Sequence, residues 1–144
     1  MTTVHDIAAY ILRARGPMTA MKLQKLIYYS QAWSLARSRR ALFPEKLRAW
    51  ANGPVVYELF DRHRRQFVVT QWDGDPDALP ALDRPIVDWV LTRYGALSGE
   101  RLSALTHAEA PWREARAGMP VGSPSHREIS HDSMRAFYST HHGA

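Results

Sequence analysis

The sequence predicts a mainly α fold: a compact single domain built around a central buried helix over about residues 20–37, with a minor two-stranded β-ribbon. Three observations carry this. Apolar residues recur with a period of about 3.6 along most of the chain, the spacing of helices. The stretch from Lys22 to Ala36 has no Gly or Pro and is rich in the good helix formers Ala, Leu, Lys and Gln. Its apolar arc takes in Leu23, Leu26, Tyr29, Ser30, Ala32, Trp33 and Ala36, widened by Tyr28 and Leu35. A surface helix buries one stripe, so an arc this wide implies neighbours on several sides. Gln24, Gln31 and Ser38, with Ser34 beside them, form the narrow polar strip that remains.

The other elements follow in order. Thr3 and Asp6 have the spacing of a capping box, and Val4, Ile7, Ala8, Ile11 and Leu12 then share a helical face up to about Arg15. Gly16-Pro17 breaks that helix, and Thr19 caps the central one. Arg37-Ser38-Arg39-Arg40 is a basic turn at its C-terminal end, where positive charge complements the helix dipole. Leu42, Phe43, Leu47 and Trp50 are the apolar anchors of an irregular stretch over 41–51. In Asn52-Gly53-Pro54-Val55-Val56, Gly53 permits a bend and Pro54 suits the first turn of a helix. Val56, Leu59, Phe60 and His63 form the inward stripe of that helix; Tyr57, Glu58, Asp61, Arg62, Arg64 and Arg65 point elsewhere.

Phe67 to Trp72 is β-branched and aromatic, the best strand candidate, with Leu47 to Trp50 as its partner. Asp73-Gly74-Asp75-Pro76 is a turn. From Asp83 a helix resumes with Ile86, Val87, Val90, Leu91 and Tyr94, and Gly95 is its C-cap. Ser98 caps a short helix carrying Leu102 and Leu105, and another is expected from Pro111 to about Ala117. Residues 118–124 read as a surface loop. Ser130 caps a last helix that returns Met134, Phe137 and Tyr138 to the core beside Ile129. The domain spans 1–138, and 139–144 is a flexible His-containing tail.

Composition narrows the functions. The 144 residues fit one domain. The absence of cysteine excludes disulfides, thiolate metal sites and a cysteine nucleophile. No leader is visible, and no apolar run approaches the roughly 20 residues that span a bilayer. A cytoplasmic location is the expectation. The net charge of +5 is carried mainly by arginine, which suits nucleic acid, an anionic substrate or an acidic protein partner.

Chemistry-bearing motifs are sparse. His5-Asp6 and His131-Asp132 look like the doublets of metal-dependent phosphohydrolases, but both sit at helix starts, where capping favours Asp, and no further ligand set accompanies them. His141-His142 lies in the tail without a rigid frame. No nucleophile elbow, dinucleotide fingerprint or P-loop occurs. His107 and Glu109 are separated by about 200° on a helix, so they read as a polar bridge anchoring the helix of Trp112. Neither an enzyme nor a metal or cofactor is expected.

Four stretches, Lys22 to Trp33, Ala49 to Val56, Leu102 to Trp112 and Ile129 to Met134, match in order and separation a known pattern. Their motif residues are Lys22, Leu23, Lys25, Leu26, Tyr28, Tyr29, Trp33, Trp50, Gly53, Pro54, Val55, Thr106, His107, Glu109, Pro111 and Trp112. The sequence resembles the Panacea domain, the SocA-like antitoxin family, also described as phage-associated GepA-like proteins. The resemblance implies a bacterial or phage antitoxin that neutralises a cognate, translation-blocking toxin by forming a protein complex, or an adaptor that hands the toxin to a cytoplasmic protease. By the reading above, the motif residues are mainly scaffolding. The surface left for a toxin is the helix face of Tyr57, Asp61, Arg62, Arg64 and Arg65, since Tyr and Arg are favoured interface anchors. The alternative is a basic nucleic-acid-binding or regulatory protein acting through Arg37, Arg39, Arg40 and Arg62 to Arg65.

Overall fold

The computed structural model of the chain describes residues 2–141. The chain runs α1 (Val4–Arg15), β1 (Met18–Thr19), α2 (Ala20–Ser38), β2 (Leu47–Trp50), β3 (Gly53–Val56), α3 (Tyr57–His63), β4 (Val68–Val69), a 3₁₀ turn (Pro76–Ala78), α4 (Arg84–Tyr94), α5 (Gly99–His107), α6 (Ala110–Ala115), β5 (Glu128–Ile129) and α7 (His131–Ser139). The fold is mainly α with a small β part, and α2 is its centre. Helices α1, α4, α5 and α7 and strand β3 all pack against it. No helix among the described residues is long and apolar enough to cross a membrane.

The caps act where the sequence places them. The Asp6 carboxylate accepts the Thr3 N–H at 2.9 Å. Thr19 Oγ1 accepts the Lys22 N–H at 3.1 Å, and Ser98 and Ser130 do the same at the starts of α5 and α7, both at 3.1 Å. Gly95 is the C-cap of α4 as expected, with φ −65°, and its N–H closes the last turn on Leu91 O.

Helix α2 buries every residue from Leu23 to Leu35. Of the polar strip, Gln24, Gln31 and Ser34 are therefore inside while Ser38 is exposed, and the two amides explain why. Gln31 Nε2 donates to Phe43 O at 2.9 Å while its Oε1 accepts the Leu42 N–H at 2.7 Å. Gln24 does the same one heptad earlier, donating to Val56 O at 3.1 Å and accepting the Val56 N–H at 2.9 Å. Each glutamine pairs with one backbone donor and one backbone acceptor, as a neighbouring strand would. Ser34 Oγ adds a bond to Arg40 O at 2.7 Å. Gln31→Ala strands a buried N–H and C=O together, and urea denaturation should show a loss of about 2 kcal/mol. An unchanged midpoint would mean that those groups find other partners.

The β part differs from the expected ribbon. Strand β2 is the middle of an antiparallel three-stranded sheet, paired with β3 (Leu47↔Val56, Trp50↔Gly53) and with β5 (Leu47↔Ile129). Only Val68 and Val69 of the 67–72 stretch form a strand, and they pair with Met18 and Thr19 rather than with 47–50. Phe67 is 81% exposed, so β-propensity alone did not bury it. Pro54 stands in a strand, not in the first turn of a helix. It tolerates that place because β3 is an edge strand, where a missing N–H costs no ladder bond. In the helices, Leu105 is 37% exposed, α6 runs from Ala110 to Ala115 rather than to about Ala117, and His63 on the inward stripe of α3 is buried. Ser139 closes α7, His141 stacks on Phe137, and residues 142–144 lie outside the described ones.

Candidate functional site

The strongest departure from ordinary burial is a charge. Lys25 lies in the middle of α2 with 2% of its surface exposed. Its Nζ donates to Pro54 O at 3.2 Å, and it forms no ion pair among the described residues. Burial lowers its pKa from 10.5 to about 8, because an ammonium loses its hydration there. The charge also bears on His63 and His107, adding to the desolvation that lowers both.

The start of β3 is shaped around this side chain. Gly53 has φ +119°, and a Cβ there would lie 2.6 Å from Lys25 Cε. Glycine is required twice over, for the backbone angle and for the passage of the lysine stem. Pro54 supplies the carbonyl, and Val55 walls the cleft beside it. That cleft has a volume of about 500 Å³ and is lined by Met21, Gln24, Lys25, Trp50, Val55 and Phe60, with His63 and the loop around His126 closing it.

Next to the cleft lies the outer face of α3. Tyr57, Asp61 and Arg64 come together: Arg64 Nη2 donates to Asp61 Oδ1 at 2.7 Å and to Tyr57 Oη at 3.1 Å, and its guanidinium lies 5.3 Å from the centre of the Phe60 ring. Arg62 turns away and donates to Asp73 O at 2.8 Å. Arg65 is exposed just past the helix. The basic turn after α2 is engaged differently. Arg37 lies 5.2 Å over Trp33 and 5.3 Å over Trp89, and Arg40 pairs with Asp83.

The Thr106 to Trp112 segment binds elements to one another. Glu109 Oε1 accepts Tyr29 Oη at 2.7 Å and Tyr138 Oη at 2.8 Å, and the Tyr138 hydroxyl also contacts Tyr28 Oη at 3.0 Å. Burial raises the Glu109 pKa against the two hydroxyls, which pull it down. His107 does not join this network; it stacks on Trp112 at 4.0 Å. Trp112 Nε1 donates to Trp50 O at 2.8 Å, and Thr106 Oγ1 to Ser103 O at 2.7 Å. Pro111 is buried. The two His-Asp doublets make separate contacts: His5 accepts from Trp72 Nε1 at 3.1 Å, and Asp132 pairs with Arg135. Among the described residues no group of three or more His, Asp or Glu could hold a metal ion.

The family model described as "Antitoxin SocA-like, Panacea domain" matches residues 23–113. The chain belongs to this family. No curated protein and no solved structure matches it. The matched Panacea stretch runs from the second turn of α2 into α6, and it holds Lys25, Gly53 and Glu109. It leaves out β5 and α7, although α7 packs directly on α2 and supplies Tyr138 to the Glu109 network.

Sequence reasoning listed Lys25, Trp50 and Val55 only as scaffolding and missed the cleft. A lysine set between Leu23 and Leu26, in a helix read as buried, was the available signal.

Proposed function

We propose that this Panacea-domain protein is an antitoxin that neutralises a cognate, translation-blocking protein toxin by direct, stoichiometric binding. Membership of an antitoxin family carries the reading. The outer face of α3, with Tyr57, Asp61, Arg62, Arg64 and Arg65, is the contact surface. It supports this role because all five residues are exposed, and because Arg64 and Tyr57 are held in place by each other and by Phe60. A pre-ordered Tyr and Arg lose little side-chain freedom on docking.

The test is co-expression with the toxin encoded beside it, followed by co-purification. Growth should be restored and the two proteins should elute together. A toxin that stays active beside folded protein ends the proposal. Arg64→Glu and Tyr57→Ala separate the surface from the fold. Each should weaken the complex about tenfold or more, equivalent to about 1.4 kcal/mol, while thermal stability moves by less than about 0.5 kcal/mol. Full affinity in both variants would move the interface elsewhere.

A further inference from the structure

We propose that the cleft beside α3 is a binding site for a small molecule with an apolar body and one carboxylate, the carboxylate meeting Lys25 at the cleft floor. The inference does not depend on the toxin partner.

Three observations lead there. The cleft volume of about 500 Å³ falls within the roughly 300–1,000 Å³ of small-molecule sites, and its walls are Met21, Trp50, Val55 and Phe60, which suit an aliphatic or aromatic body. An ammonium has three donors, and the Lys25 Nζ spends one on Pro54 O. A cation in an apolar interior is costly unless an opposite charge faces it. The third observation is a second unanswered donor in a residue that lines the cleft: the indole N–H of Trp50 is buried without an acceptor. A carboxylate has two oxygens with about four acceptor positions, enough to answer an ammonium and an indole N–H at once.

The geometry favours a compact occupant over an extended peptide. A peptide adding to the sheet here would need the free edge of β3. Gln24 already occupies that edge, bonded to both the N–H and the C=O of Val56. A neutral ligand would satisfy the walls but leave the lysine charge unanswered.

Phenylacetate and hexanoate, set against phenylacetamide and hexanamide, test this by calorimetric titration and thermal shift. The wild-type protein should bind the acids saturably, one per chain, and at least tenfold more tightly than the amides. Lys25→Met should remove that preference. Ala51→Phe, which puts bulk at the cleft wall in the half-buried turn between β2 and β3, should abolish binding of all four while leaving the lysine in place. If Lys25→Met does not fold, the acid-to-amide ratio and the Ala51→Phe result still decide. Equal binding of acids and amides, unchanged binding in Ala51→Phe, or no saturable binding by either acid at millimolar concentration overturns the proposal.

Discussion

Trp33→Ala lowers the free energy of unfolding by about 3–5 kcal/mol. The indole is 1% exposed, and its N–H donates to Tyr94 Oη at 2.9 Å. Its ring lies 5.0 Å from Trp89 and 5.1 Å from Tyr138, so truncation opens a void where α2, α4 and α7 meet. Tyr94 itself stacks on Tyr29 at 4.1 Å, which carries the damage towards Glu109. Set against a total of about 5–15 kcal/mol for a domain, the loss removes much of the folded population, and toxin neutralisation falls with it for want of folded protein. Urea denaturation checks the size. Trp33→Phe keeps a ring and should recover more than half. A loss below about 1 kcal/mol would mean that this aromatic junction does not hold the helices together.

Between pH 8 and about 10 the wild-type protein becomes more stable, and Lys25→Met does not. The Lys25 pKa falls from 10.5 to about 8 on folding. In that window the unfolded chain binds more protons than the native one, so stability rises with pH. The stabilising term is complete above 10.5 and is lost as pH falls through about 8. A pKa unit corresponds to 1.36 kcal/mol, which puts the full range at about 3 kcal/mol. Near pH 10 a second effect opposes it. Burial raises the pKa of Tyr28, Tyr29 and Tyr138, so stability begins to fall once those phenols ionise in the unfolded chain. The difference between wild type and Lys25→Met cancels that contribution. At pH 7 the methionine variant should be the more stable by a similar amount, since an apolar side chain of like length removes the buried charge. Parallel pH profiles for the two proteins would show that Lys25 is not desolvated.

The helices were legible because their signals are local. Thr3 with Asp6, Thr19, Ser98 and Ser130 mark starts within a few residues of what they cap, and the period of the apolar residues gives the buried faces. Strand pairing was not local. Strand β2 meets β5, whose two residues carry no pattern of their own, and Val68-Val69 pairs with a two-residue segment that propensity does not reveal. Gln24 and Gln31 misled for a different reason. Glutamine is ordinarily a surface residue, and only the arrival of the 42–43 and 56 backbone turns these two into interior groups. The exposure of Tyr57, Asp61, Arg62, Arg64 and Arg65 was readable from the helical spacing. The cleft was not, since it is assembled from four separate segments, near 21–25, 50–55, 60–63 and 122–126.

The contact between Tyr28 and Tyr138 spans 110 positions, and this has a kinetic side. Helix α2 can coil early from its own residues, but the flank bearing Tyr28, Tyr29 and Trp33 is sealed only when α7 arrives. Contacts this distant in the chain slow folding, because the intervening loop must close before they form. The α2–α7 contact is therefore what withdraws this aromatic surface from solvent in the folded chain.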